Sequence, residues 1–183
     1  KHNSALPIYP TNSIQSIDIM AVHSLHIFDR RGKTLFTKRY ARGVGGSAAT
    51  KQADEEKLSE QRKLVFGMLF SLREMVGSLA PEHKGRDPGL HSVRTGAGTL
   101  HNYETVSGMR VALYCTNDPI PTTTPTSAAT GPSIRQALRH IYTDLWVDSV
   151  VRSPLYRSND MDISSTNFEP KLDAYLNAMP WFK

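Results

Sequence analysis

A glycine-rich segment is the first pattern that could bind a ligand. Residues 43–48, Gly-Val-Gly-Gly-Ser-Ala, match the G-x-G-x-x-A spacing that receives a dinucleotide pyrophosphate in βαβ units. That site needs the glycines at the junction between strand and helix, but Ala49–Ala53 lengthens the connection here. The last glycine is not followed directly by a lysine, as a phosphate-binding loop requires. We interpret 41–53 as a flexible linker and expect no cofactor.

Histidine and cysteine side chains could catalyse a reaction or bind a metal ion. The chain has seven histidines, but His23 and His26 fall on opposite faces of a predicted strand, and no cysteine or carboxylate cluster completes a ligand set. The single cysteine, Cys115, lies on the apolar face of another strand, where a thiol is expected to be buried and inert. The sequence lacks a Gly-x-Ser-x-Gly nucleophile elbow. We expect no catalytic or metal site, and we interpret the histidines as structural.

Basic side chains concentrate in the first predicted hairpin, where Asp29 is the one acid and Phe36 and Tyr40 lie among them. These basic residues are Arg30, Arg31, Lys33, Lys38, Arg39 and Arg42. Nucleic acid could bind such a patch, but no recognition helix or RNA-binding aromatic strand accompanies it. We expect no nucleic-acid partner, and favour a solvated face or one that meets an acidic protein or an anionic membrane.

The long predicted helix that begins at Asp54 and ends near Ala80 carries two apolar arcs. The main arc comprises Leu58, Val65, Met68, Leu69, Leu72, Val76 and Leu79. Phe66 and Phe70 lie roughly 100–140° from that arc, at 100° per residue. Burying each ring contributes on the order of 2 kcal/mol, so either the chain's own loops and helices or a partner protein should cover them. The candidate partner-binding residues are Arg62, Phe66, Phe70, Arg73 and Gly77, the glycine being small enough for another backbone to approach.

Hydrophobic periodicity predicts the elements that position these residues. Alternation predicts five strands: Val22–Phe28, Thr34–Tyr40, Leu90–Thr95, Thr99–Val106 and Met109–Thr116. Capping signals at Ser133 and Thr166 begin two further helices, which end near Val151 and before Pro180. Because short turns join the strands, they should pair antiparallel. The order predicts an α+β fold in which helices cover a five-stranded sheet.

The 183 residues predict one folded domain, residues 20–183, preceded by a flexible arm at 1–19. We interpret the proline- and threonine-rich stretch at 117–130 as an exposed low-complexity loop within this domain. The longest apolar run, 64–70, is far shorter than the 18 or so residues of a membrane span. The single cysteine favours a reducing compartment.

Seven short motifs, taken in order, carry a resemblance to a known family. They are 23–32 (HSLHIFDRRG), 67–73 (GMLFSLR), 103–105 (YET) with Gly108, 138–142 (LRHIY), 150–155 (VVRSPL), 172–175 (LDAY) and 179–182 (MPWF). The set resembles the small longin-type subunits of the TRAPP (transport protein particle) complex, from about residue 20 to residue 182. The arm before Met20, the glycine-rich linker and the 117–130 insertion depart from the family pattern.

The resemblance implies a longin-like (profilin-like) sheet with one helix on one face and two on the other. It also implies a structural, non-catalytic subunit of a tethering and Rab guanine-nucleotide exchange complex in ER-to-Golgi transport. The implied partners are other TRAPP subunits and, through the complex, a Rab GTPase and a membrane surface. The implied location is cytoplasmic, peripheral at the cis-Golgi and endoplasmic reticulum. Two alternatives stay open: a stand-alone longin or profilin-like module that regulates membrane trafficking, and an enzyme that uses a profilin-like or dinucleotide site.

Overall fold

The computed structural model describes residues 21–40, 48–79, 89–116, 132–154, 163 and 166–182, and within 48–54 it describes the backbone alone. The predicted arm at 1–19 and the predicted loop at 117–130 lie outside the described residues, as do residues 41–47 of the predicted linker. The description therefore covers the predicted sheet, the helices and the hairpin turns that join neighbouring strands.

Five antiparallel strands form one sheet in the order β2-β1-β5-β4-β3. The strands are β1 (Val22–Phe28), β2 (Thr34–Arg39), β3 (Ser92–Arg94), β4 (Thr99–Glu104) and β5 (Arg110–Cys115). The sheet confirms the predicted α+β class. The third strand is shorter than the alternation predicted, and it forms one edge of the sheet while β2 forms the other.

The helices are α1 (Ala48–Leu79), α2 (Ile134–His140) and α3 (Phe168–Asn177), and α2 continues as a π-helical segment, Ile141–Val151. The prediction of a flexible linker through Ala53 was wrong for residues 48–53, which belong to α1. Its first residues, Ala48 and Ala49, have the highest helix propensity, so the helix extends before its acidic turn. The predicted capping box at Ser133 is confirmed, because its hydroxyl accepts from the Gln136 amide while the Gln136 side chain accepts from the Ser133 amide.

The helices divide between the two faces of the sheet. On one face, α1 packs its buried Leu69 against Phe28, Leu100 and Ala112. The opposite face carries the larger core, to which α2, the π-helical segment and α3 contribute Leu138, Trp146, Phe168, Leu172 and Leu176 among others. Cys115 lies in this second core with no exposed surface, as predicted. One helix thus covers one face and two helices cover the other.

Aromatic and basic residues of β2, together with Tyr40, which follows it, hold this edge strand against α3 and the residues after it. Phe36 meets Phe168 edge to face, with ring centroids 5.0 Å apart, and Tyr40 meets Phe182 in the same way at 5.1 Å. The Nζ atom of Lys38 lies 2.6 Å from carboxylate oxygens of both Glu169 and Asp173. Burial alone would lower the pKa of Lys38, but these hydrogen bonds raise it above its ordinary value. The aromatic rings of the basic hairpin are therefore packing contacts and do not form a stacking platform.

The turn between β1 and β2 depends on Gly32. This residue has a φ of +85°, and a Cβ atom placed there would lie 2.6 Å from Cε1 of Phe66. We expect Gly32→Ala to lower the free energy of unfolding by about 2 kcal/mol, measured by urea denaturation, because left-handed backbone strain adds to a displaced ring.

Gly108 provides the matched control for Gly32→Ala. It has nearly the same φ, +82°, but its added Cβ would meet only Arg30 Cβ, at 3.1 Å. Gly108→Ala should therefore cost about 1 kcal/mol, mostly from backbone strain. In a chain that also carries Phe66→Ala, the loss of unfolding free energy caused by Gly32→Ala should fall toward the value for Gly108→Ala. An unchanged cost in that background would contradict the assigned clash.

Candidate functional site: the flanks of the first helix

Phe66 and Phe70, the two rings singled out in the sequence, stack on one flank of α1. Their centroids are 6.2 Å apart and their planes differ by 27°. Phe66 also meets Phe28 at 5.6 Å and packs on Gly32, and so it is half-buried by the β1–β2 hairpin. Phe70 stays 48% exposed. The chain itself therefore covers much of Phe66, while Phe70 still presents its ring to solvent.

A nearly buried arginine lies against both rings. The guanidinium carbon of Arg110 is 5.2 Å from the Phe66 centroid and 5.7 Å from the Phe70 centroid, within cation–π range. Its Nη2 donates to Glu104 at 3.2 Å, and Arg73 Nε donates to the other oxygen of that carboxylate at 3.1 Å. Glu104 thus forms ion pairs with both Arg110 of β5 and Arg73 of α1. This network holds the Phe66 and Phe70 rings over the hairpin end of the sheet.

The remaining two predicted residues lie at opposite ends of this flank. Gly77 is exposed, and a Cβ placed there would meet only Arg73 Nη1, at 3.6 Å. Arg62 is half-buried beside β2 and lines a groove with residues of that strand. The structure therefore brings together Phe66, Phe70 and Arg73, while Arg62 lies one helical turn before Phe66, at the groove beside β2.

A second apolar strip on α1 was missed in the sequence. Leu64 is 73% exposed, Met75 is 56% exposed and Leu79 is 74% exposed. These residues lie within roughly 60° of one another around the helix, because 11 residues make slightly more than three turns and the next four make slightly more than one. Assigning Leu79 to the sheet-facing arc was wrong, since the helix ends there and its side chain is exposed. The spacing of 11 and then 4 residues was the signal that could have revealed this strip.

Exposed apolar side chains are concentrated on α1. Among the described residues, six large hydrophobic side chains are exposed, and four of them belong to this helix: Leu64, Phe70, Met75 and Leu79. The inward side of the same helix is occupied by the sheet. The first helix therefore presents apolar surface on both flanks, while the side between them is buried against the sheet.

The histidine buried in β1 is held by two hydrogen bonds. His26 has no exposed surface, and its two ring nitrogens bond to Ser24 Oγ at 2.9 Å and Thr37 Oγ1 at 3.2 Å. In the described ranges, no group of three or more His, Cys, Asp or Glu side chains is placed to hold a metal ion. None of the helices within those ranges combines the length and hydropathy that crossing a bilayer requires.

Comparison with known proteins places this architecture in a family. The Sybindin-like family matches residues 22–179. The chain belongs to the Sybindin-like family. The sheet and helices of this Sybindin-like chain form the longin-like arrangement expected for it. The match begins at the first residue of β1 and extends beyond α3, so it spans all the elements described above.

Curated relatives match the Sybindin-like chain over nearly their full length. Trafficking protein particle complex subunit 1 of Rattus norvegicus is 35% identical over 163 residues, which covers 89% of this chain and 97% of that protein. The protein of the same name from Homo sapiens is 34% identical over the same length and coverage. Transport protein particle subunit bet5 of Schizosaccharomyces pombe is 28% identical over 171 residues, covering 89% of this chain and all of that protein.

Proposed function

We propose that this chain is subunit 1 of a TRAPP complex, a structural part of a tethering and Rab guanine-nucleotide exchange assembly in ER-to-Golgi transport. The names of its relatives, which it matches over almost their whole length, support a role as a subunit of a trafficking complex. The observation that carries the proposal is the apolar surface left exposed on α1. Contiguous exposed apolar side chains mark interaction sites more often than isolated ones do.

The proposed activity belongs to the assembly, and this chain contributes contacts to it. Exchange of this kind needs surfaces that bind the nucleotide-free GTPase better than the nucleotide-bound one, because only a difference in affinity shifts the equilibrium. No bond is made or broken by this chain in that scheme, and no cofactor is needed. Its partners are neighbouring TRAPP subunits and, through them, the Rab GTPase. Its location is cytoplasmic, peripheral at the cis-Golgi and endoplasmic reticulum.

The proposed docking residues are Phe70, with Phe66, Arg62, Arg73 and Gly77 around it. Phe70 is the best single test, because its ring is half exposed while Phe66 also supports the hairpin. Replacing Phe70 alone can therefore remove a contact surface without unpacking the turn at Gly32. The Leu64, Met75 and Leu79 strip gives the helix a second flank on which another subunit can pack.

We expect Phe70→Asp to reduce recovery of co-purifying subunits at least tenfold in a tagged pull-down from the native cell lysate. A buried aromatic anchor is commonly worth 2 kcal/mol or more at an interface, and the introduced charge would also have to be desolvated. The isolated variant should lose about 1 kcal/mol of unfolding free energy through its weakened stacking. Stoichiometry of the recovered proteins and nucleotide release from the Rab are the measurements.

Val151→Asp is the matched control for Phe70→Asp. Val151 is 57% exposed at the end of the π-helical segment, which packs on the opposite face of the sheet from α1, and the substitution introduces the same charge. It should leave the recovered set unchanged. If Phe70→Asp recovers the same subunits as the wild type, this flank is not a docking surface. A wild-type chain recovered alone, without subunits or exchange activity, would favour the stand-alone longin or profilin-like module.

A further inference from the structure

A groove of about 440 Å³ runs between edge strand β2 and the amino-terminal half of α1. One wall is formed by consecutive residues of the hairpin and strand, from Gly32 to Thr37. The other wall is formed by α1, through Ser59, Arg62 and Lys63. Because one wall is an uninterrupted stretch of strand, the groove follows the direction of the β2 backbone.

The backbone of β2 leaves hydrogen-bonding groups on the side of the strand that faces away from β1. Tyr40 N–H donates to the His23 carbonyl at 2.9 Å, so Tyr40 points its backbone groups toward β1. Backbone groups alternate along a strand, and the register pairs Lys38 with Leu25 and Arg39 with Ser24. The N–H and C=O groups of Thr37 and Arg39 therefore point away from β1. None of the described strands pairs with this outer edge.

The two edges of the sheet differ in length and regularity. At the opposite edge, β3 spans three residues, whereas β2 spans six. Short edge strands resist pairing with other chains, and long ones invite it. A register shift near Phe28 interrupts the start of β2, and pairing with β1 is regular from Phe36 to Arg39. The carboxyl-terminal part of β2 is thus the longest regular edge that the described sheet offers.

The charges around the groove have one sign. Arg62 and Lys63 line one wall and Lys33 the other, while Arg30 and Arg31 are exposed at the adjoining turn. Among residues whose side chains are described, none of these five cations has a carboxylate within salt-bridge distance. The nearest acid in the hairpin, Asp29, uses Oδ1 to accept the backbone amides of Arg31 and Lys33 at 2.8 Å. The groove thus carries positive charge that no described carboxylate neutralises.

We propose that this groove binds an acidic, extended segment of a partner protein, which adds as a sixth strand along β2. Strand addition would satisfy the outward backbone groups of Thr37, which lines the groove, and of Arg39, two residues beyond it. Alternate acidic side chains would face Arg62 and Lys63. Basic side chains on an edge strand discourage pairing with another basic or neutral strand, and so the same charges select for an acidic one. Arg62 borders both this groove and the proposed docking flank at Phe70, but the other residues of the two surfaces differ, so either can hold without the other.

The shape of the groove favours a peptide over an anionic membrane. Two of its cations, Arg62 and Lys63, lie on the wall of a concavity, where a chain can enter more easily than a flat layer of headgroups. Backbone groups at a strand edge need a partner with matching donors and acceptors, which a peptide has in register and a lipid surface does not. A membrane remains the competing outcome of the experiment.

The test uses the full 183-residue chain and a labelled eight-residue peptide of alternating glutamate and valine, with binding followed by fluorescence anisotropy. We expect saturable binding that weakens as salt rises, since the attraction between exposed charges is screened. Two control peptides separate charge from strand pairing: one with lysine in place of glutamate, and one with alternate backbone amides N-methylated. Both should bind at least tenfold more weakly than the probe.

Variants of the chain test the two walls separately. Thr37→Pro removes an outward-facing N–H while leaving the ladder to β1, and Thr37→Val is its control because it loses the same hydroxyl but keeps the amide. We expect the proline variant to bind tenfold more weakly than the valine variant. Arg62→Glu with Lys63→Glu should weaken binding at least tenfold, whereas Arg135→Glu with Arg139→Glu, an equal charge change on α2, should not.

Equal binding by the two Thr37 variants, or by the N-methylated peptide, would overturn strand addition. If the proline variant fails to fold, the N-methylated peptide and the Arg62 and Lys63 reversal still decide the question. Binding to phosphatidylserine vesicles without binding to the acidic peptide would overturn the proposal in favour of a membrane surface.

Discussion

Glu104→Ala should lower the free energy of unfolding by about 3 kcal/mol, which corresponds to a fall in Tm of roughly 6–12 °C for a domain of this size. The carboxylate of Glu104 bonds to both Arg110 and Arg73. The side chain of Arg110 is only 7% exposed, and its Nε and Nη1 have no hydrogen-bond acceptor within the described part of the chain. Removing Glu104 would therefore leave a charge buried with only the π faces of two rings to stabilise it.

Two further variants distinguish a lost ion pair from a general loss of packing. Glu74→Ala removes an exposed acid on the outer side of α1 and should change stability by less than about 0.5 kcal/mol. Glu104→Met combined with Arg110→Met replaces both charges with apolar side chains, and it should recover most of the lost stability. Urea denaturation of each chain is the measurement. A double variant as unstable as Glu104→Ala would show that the unpaired arginine is not the cause.

Stability should also fall as the pH is lowered from about 6.5 to about 4, with His26 alone accounting for about 3 kcal/mol over that interval. Burial, helped by the nearby charge of Arg62, lowers the pKa of His26 from 6.5 to about 4. Between these values the unfolded chain binds a proton that the folded chain excludes. Acid therefore favours the unfolded state, by up to about 1.4 kcal/mol per pH unit.

The contribution of His26 can be separated from that of the carboxylates by difference. His26→Gln keeps a polar side chain between Ser24 and Thr37 but cannot take up the proton. Unfolding free energies of wild type and variant should be compared at pH 7, 5.5 and 4.5. The difference in unfolding free energy between the wild type and the variant should become smaller as the pH falls, or reverse so that the variant is the more stable. Parallel pH curves would mean that His26 takes up a proton as readily in the folded chain as in the unfolded one.

Glu104 and His26, the side chains of these two predictions, lie at opposite ends of the layer of side chains between the sheet and α1. His26 lies between the sheet and the amino-terminal half of the helix, near Arg62. Glu104 lies beneath the later turns, where Arg73 reaches the sheet. The layer is therefore polar at both ends and apolar around Leu69. The contacts in this layer determine which residues of α1 face outward, and these outward residues contribute to the two surfaces proposed for partners.

The sequence by itself determined most of the fold. Alternating side chains along Val22–Phe28 and along the strand ending at Cys115 specify which face each residue occupies, because the side-chain period of a strand is two. Ser133 and Gln136 specify a helix start through hydrogen bonds between residues three apart. These signals are local, so each can be read in a short stretch of chain. The ordered motifs supplied the family, which the comparisons confirmed.

The tertiary structure decided which apolar residues remain exposed. Helical periodicity placed Phe66 and Phe70 together on one flank, but only the distant turn at Gly32 covers Phe66 and leaves Phe70 exposed. Helical periodicity also assigned Leu79 to the core, whereas the sheet does not cover that last residue of α1. The ion pair between Arg73 and Glu104 and the groove beside β2 likewise depend on elements far apart in sequence. A periodic pattern tells which side of a helix is apolar, and burial depends on what the rest of the chain packs against that side.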